Sequence, residues 1–215
     1  MPKDNEPLSS LTHLIGASLA LAALALLVIF AAIYGTALHI VSYSIFGTAM
    51  LLLYIMSTIY HFLPKGKTSK KVFQKLDHSM IYILIAGTYT PIALVGLKGA
   101  WGWTIFGIIW GLAALGISLK CSFKKVNQIL STILYLVMGW LIVVAFVPLN
   151  TTLPTAGLWW LFAGGLSYTI GVIFFALDNI IPRTRWWGLH ELFHLFVIGG
   201  SFCHFWMMLK YVIWV

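Results

Sequence analysis

Acidic side chains are almost missing from this chain: of its 215 residues only 5 are Asp or Glu, and all charged residues together make up 8%. A soluble domain carries roughly a quarter charged residues, so a water-soluble globule is excluded and a polytopic membrane protein is expected. Cysteine is scarce too. The two present, Cys121 and Cys203, fall at one end of the fourth apolar run and midway along the seventh, which excludes a disulfide framework. No linker rich in proline, glycine and serine occurs, nor any convincing repeat or low-complexity tract, and nothing outside the apolar runs is long enough for a second domain.

What the chain has in quantity is apolar sequence, 61% of its residues. An α-helix needs about 20 apolar residues to cross hydrocarbon, and seven such runs lie at about 14–34, 38–63, 73–96, 99–119, 126–146, 156–177 and 188–212. The first is too long for the core of a cleaved signal peptide and is read as a span. The expected fold is an all-α bundle of seven transmembrane helices, one domain over 13–215, preceded by a short mobile tail at 1–12.

The net charge of +8 is unevenly placed. Lys65, Lys67, Lys70, Lys71, Lys75, Lys120, Lys124, Lys125, Arg183 and Arg185 fall in three connections that share one side with Lys3, whereas the other side holds Lys98 and Lys210. This bias predicts a cytoplasmic N-terminus, an outward C-terminus and a multi-pass protein of the cell membrane. The cations are read as a topology signal with some attraction for anionic lipid, not as a nucleic-acid surface. Trp159, Trp160, Trp186 and Trp187 at span ends read as interface anchors. Gly107 and Gly111, four apart, suit either close helix approach or ordinary membrane-helix glycine.

Ionisable groups inside hydrocarbon are costly and tend to face the bundle interior with a function. His61 lies near the end of the second run, Asp77 and His78 at the start of the third, and His190 and His194 at the start of the seventh. All five stand at about the same depth of the cytoplasmic leaflet. His190 and His194 are four residues apart, about 400° of helix rotation, so their rings leave one face roughly 6 Å apart. With His61 they make three imidazoles and an open fourth position, which is the ligand set of a catalytic zinc ion. Copper, nickel or iron would also accept imidazole.

Asp77, a lone acid at the start of an apolar run, is the candidate to take the proton of a zinc-activated water. Ser57 precedes His61 by four and shares its face, where it either orients a ligand or substrate or bonds its own helix backbone. Glu191 completes an HExxH string with His190 and His194 and competes as base; the alternative is an acid complementing a helix N-terminus. His78 is expected to hydrogen-bond near the site without ligating. His13 is on the right side with its facing unfixed, and His39 is on the wrong side. His204, about 15 Å beyond His194 along the axis, is expected to bond between helices.

In order, "STIYHFL" at 57–63, "LDHSMIYILIAGTYTP" at 76–91 and "HELFHLFVIGGSFCHF" at 190–205 resemble the signatures of the haemolysin III branch of the progestin and adiponectin receptor (PAQR) superfamily, as does "LTHLIGASLA" at 11–20. The resemblance spans nearly the whole chain. It implies seven transmembrane helices with the N-terminus inside, one zinc ion on His61, His190 and His194, and Asp77 in the place of the acid that holds the zinc-bound water. Glu191 falls at a variable place of that pattern.

The superfamily is related to membrane hydrolases of lipid amides, with ceramidase-like receptors among its members, and its bacterial branch is linked to membrane lipid homeostasis. The expected activity is therefore zinc-dependent hydrolysis of a membrane lipid amide or ester, with the substrate lipid held inside the bundle. A non-catalytic sensor with structural zinc, an intramembrane protease based on Glu191 and a pore-forming haemolysin are the alternatives.

Overall fold

The structure, a computed structural model, describes residues 6–122, 128–178, 180–181 and 188–215. All regular structure among these residues is helical: α1 (Pro7–Tyr34), α2 (Ala37–Phe62), α3 (Thr68–Pro91), α4 (Gly99–Ser122), α5 (Gln128–Trp140), α6 (Phe146–Thr152), α7 (Thr155–Leu177) and α8 (Leu189–Lys210), with short turns of other pitch between some of them. Seven segments are long and apolar enough to cross a membrane, and the fifth of them joins α5 to α6 over Gln128–Thr152. The chain is a multi-pass membrane protein with a seven-helix transmembrane fold.

The first helix turns mostly small residues inward and large ones outward. On α1, Ala17, Ala20, Ala23, Leu27 and Ala31 are buried at helical spacing, while Leu11, Ile15, Leu19 and Ile33 are exposed. With no hydrophobic force between helices in lipid, close approach through small residues is what holds such a face. Gly87 of α3 illustrates it, because a Cβ there would stand 2.7 Å from the Cβ of Ala49 on α2. Gly107 and Gly111 do not serve this purpose: among the described residues nothing comes within 4 Å of a Cβ placed at either.

The expected spans agree with the helices to within a turn or two, except at the start. α1 begins at Pro7, whose ring suits the first helical turn. Ser9, Ser10, Thr12 and His13 are all buried. The mobile tail expected over 1–12 is therefore wrong from Pro7 onward, and this added polar turn of α1 proves central to the site. The fifth span changes pitch over Leu141–Ala145. There Tyr89 Oη accepts from Ile142 N at 2.7 Å and donates to Gly139 O at 2.9 Å, a side chain inserted into the backbone ladder. Pro148, three residues further on, withholds another ladder donor.

Both cysteines are free. Trp159 is exposed as an interface anchor should be, whereas Trp160 is half-buried against the rings of Phe202 and Trp206. Trp186 and Trp187, together with Lys3, Lys124, Lys125, Arg183 and Arg185, lie outside the described residues.

Candidate metal centre

Three imidazoles from two helices meet at one end of the bundle. His61 in the last turn of α2 and His190 and His194 in the first turns of α8 each offer a nitrogen, and the three atoms lie within 4.8 Å of one another. His61 and His194 are buried and His190 is half-buried. The four-residue spacing on α8 thus delivers both rings to one face, as the sequence requires, and α2 brings the third from 129 residues away.

The hydrogen bonds set which nitrogen of His61 and of His194 is free. His61 Nδ1 donates to Glu6 Oε2 at 2.7 Å, which leaves Nε2 with its lone pair. Thr12 Oγ1 donates its one hydrogen to Ser9 O at 2.9 Å, so its 3.0 Å contact with His194 Nδ1 is one in which Thr12 accepts and the ring donates. His194 Nε2 is therefore also left bare. His61 Nε2 and His190 Nε2 face each other at 3.3 Å, a separation at which two lone pairs repel unless a proton or a cation lies between them. Tetrahedral ligands at about 2.0–2.1 Å from zinc stand about 3.3–3.4 Å apart. The donor set fits a divalent metal ion in its chemistry, and the His61–His190 pair already stands at the ligand spacing, while all three atoms lie within 4.8 Å of one another.

Partners not singled out from the sequence hold this geometry. Glu6 binds His61 and lies 3.6 Å from Lys65 Nζ and 3.7 Å from Lys70 Nζ. The hydrogen bond from His61 holds its carboxyl down at about 2, against the burial that would raise it, with Lys70 and Lys65 adding in the same direction. Asp178 Oδ1 accepts from His190 N at 3.0 Å. The ring of His13 stacks on that of His194 with centroids 3.5 Å apart. Both His13 nitrogens are without a hydrogen-bond partner among the described residues. Pro7 directly after Glu6, with Ser9, Thr12 and His13 at helical spacing behind it, was the available signal that α1 starts early and carries a polar face.

A cavity of about 250 Å³ opens beside the cluster. Ser57, Asp77 and His78 line it next to the histidines, and Leu53, Leu84, Ile92, Ile142, Leu161 and Val197 give it apolar walls. Asp77 is not part of the three-histidine group but neighbours both Ser57 and His61. His78 stays outside the group as well, as expected. Glu191 does not line the cavity. Its carboxylate accepts from Gly188 N at 2.7 Å and from Ser9 Oγ at 2.6 Å, so it closes the N-terminus of α8 and ties it to α1.

The remaining histidines are settled by their neighbours. His39 Nδ1 accepts from Thr36 N at 3.1 Å and caps α2 at the far end, away from the cluster. His204 packs over Gly164 and beside Tyr168, and its Nδ1 is without a partner among the described residues. The interhelical hydrogen bond expected of His204 is not seen at that nitrogen.

A family model described as "Haemolysin-III related" matches residues 1–205 of the chain. The Hemolysin-3 homolog of Bacillus subtilis (strain 168) is 46% identical over 205 residues, which cover 95% of this chain and 93% of that protein. Hemolysin-3 of Bacillus cereus is 44% identical over 205 residues, 95% of this chain and 90% of its own. The human Monocyte to macrophage differentiation factor is 30% identical over 172 residues, 78% of this chain and 69% of its own length.

Proposed function

The chain belongs to the haemolysin-III related family, and we propose that it is a zinc-dependent membrane hydrolase that cleaves an amide or ester of a lipid and so serves membrane lipid homeostasis. The observation that carries this reading is the meeting of a three-histidine group with a cavity whose remaining walls are largely apolar. Metal ligands alone would suit many roles; joined to a space that accepts an acyl chain, they favour lipid chemistry. The basic connections support a cytoplasmic position for the site.

His61, His190 and His194 would hold the ion. When bound there, zinc supplies Lewis-acid polarisation of a carbonyl and acidifies water. The chain's own residues do the rest. Glu6 and Thr12 fix the tautomers of His61 and His194 so that the ligand nitrogens stay bare. Asp77, on the cavity wall, accepts the proton of the attacking water and returns it to the amine or alcohol that leaves as the C–N or C–O bond breaks. Ser57, beside Asp77, orients that carboxyl. The apolar walls bind the acyl chain and exclude bulk water from the reacting carbonyl.

A second reading is a sensor in which the ion only braces α2 against α8. It is favoured by the position of the cluster, which joins the end of one helix to the start of the other. The test is the metal content of the purified protein, with hydrolysis of a panel of lipid amides and esters, for wild type and Asp77→Asn. About one zinc per chain in both, with hydrolysis at least about a hundredfold slower in the variant, is expected. Stoichiometric zinc without hydrolysis of any member of the panel would overturn the hydrolase and leave the brace.

A further inference from the structure

Lys120 does not behave as a lysine at the end of a membrane helix ordinarily does. Such a side chain reaches outward to the interface. The buried positions of α4 are Gly102, Ile105, Ile109, Ala113, Gly116 and Lys120, a single stripe at helical spacing. Lys120 therefore continues the inward face, one turn beyond Gly116, where a Cβ would meet the ring of Tyr82 at 2.4 Å. Its neighbours Cys121 and Ser122 are exposed and would have placed a lysine outside at no cost. Instead Lys120 is only 7% exposed and lines the same cavity as Asp77 and the histidine cluster.

Among the described residues it takes part in no ion pair and no hydrogen bond. Asp77, the acid that lines this cavity, is paired with Ser57 and His61 rather than with Lys120, which stands beside His78. The carbonyls at the end of α4 offset part of the ammonium charge, but among the described residues no counter-ion faces it, which leaves the burial of the charge unfavourable. Gln74 and Gln128 line the cavity with it and bring amide donors, whereas Thr132, also on its wall, spends its hydroxyl hydrogen on Gln128 O.

We propose that Lys120, with Gln74 and Gln128, forms an anion subsite at the polar mouth of the cavity that takes the phosphate of a lipid headgroup, so that a lipid carrying a phosphate is preferred over an otherwise identical neutral lipid without one. The subsite deepens the lipid reading of the cavity and rests on it. In a glycerophospholipid the phosphate and the acyl carbonyl are a few bonds apart. A phosphate at Lys120 therefore directs the carbonyl inward past His78 toward Asp77 and the histidines, and the acyl chain toward Leu84 and Ile92.

The test is binding of phosphatidylglycerol and of the diacylglycerol with identical acyl chains to the detergent-purified full chain, read by native mass spectrometry. Wild type is compared with Lys120→Met, Lys120→Arg and the exposed control Lys71→Met. Wild type should prefer phosphatidylglycerol by about tenfold, the worth of one charge-assisted contact. Lys120→Met should lose that preference with its metal content unchanged and its melting temperature no lower, while Lys120→Arg and Lys71→Met keep it. If inorganic phosphate binds wild type and not Lys120→Met, and phosphatidylglycerol shows no advantage, the anion subsite stands with free phosphate as its ligand. A preference that survives in a folded Lys120→Met, or falls equally in Lys71→Met, would overturn the subsite and leave the hydrolase reading intact. Failure of wild type to bind either lipid would overturn the lipid reading of the cavity, and the subsite with it.

Discussion

Glu6 Oε2 and His61 Nδ1 lie 2.7 Å apart although 55 residues separate them in the chain. A carboxylate on the outer nitrogen of a ligating imidazole fixes the ring's tautomer and raises the basicity of the inner nitrogen. The residue before α1 is thus placed to tune the candidate metal centre through His61.

Glu6→Gln keeps the shape of this contact but removes its charge. Affinity for zinc is expected to fall about 10- to 100-fold, measured by competition with a chromogenic chelator, with the three histidines unchanged. Equal affinity in variant and wild type would mean that His61 is held by packing alone.

The same carboxylate predicts a pH dependence. Its pKa of about 2 in the fold lies below the ordinary 4.5, so folding favours the ionised form. Its contribution to stability is full above pH 4.5 and is lost as the pH falls toward about 2. Metal-free protein should melt at progressively lower temperature across that window, and Glu6→Gln should show a flatter profile. Parallel profiles would contradict the assignment.

Glu191 separates a structural acid from a catalytic one. It is fully buried and accepts hydrogen bonds from both Gly188 and Ser9. Glu191→Gln should cost about 1–3 kcal/mol of stability yet retain zinc and whatever lipid hydrolysis the wild type shows. Complete loss of hydrolysis in a folded, zinc-loaded Glu191→Gln would restore it as the base.

The packing of α2 on α3 can be tested with one methyl group. Gly87→Ala would set two Cβ atoms 2.7 Å apart, and neither can rotate away. A loss of about 1–3 kcal/mol is expected. Gly107→Ala, with nothing within 4 Å among the described residues, should change stability by no more than about 0.5 kcal/mol. Melting temperatures in one detergent check both.

All three histidines of the candidate ligand set were legible because their signals are local or fall at matching depths. The rings of His190 and His194 share a face by helical periodicity. His61 could be assigned to the same level because each span starts and ends at a membrane boundary. The partners of those rings were less legible. Glu6 and Thr12 sit before an apolar run, and polar residues there look like a solvated tail unless the helix is known to begin at Pro7. Glu191 could be read as a base or as a cap, since spacing does not reveal which way a carboxylate turns.

The sequence by itself determined the solvent, the number of spans and the three imidazoles, because hydrocarbon admits only long apolar helices and tolerates ionisable side chains chiefly where they face protein. Only the tertiary structure decided which nitrogen of His61 and of His194 stays bare, that Glu191 closes a helix, and that Lys120 turns inward while Cys121 and Ser122 turn out. Those outcomes depend on which helix faces pack together. Contacts between α1 and α8, or α3 and α4, are set by side-chain shape across more than a turn of either helix, and no single stretch of sequence contains both surfaces.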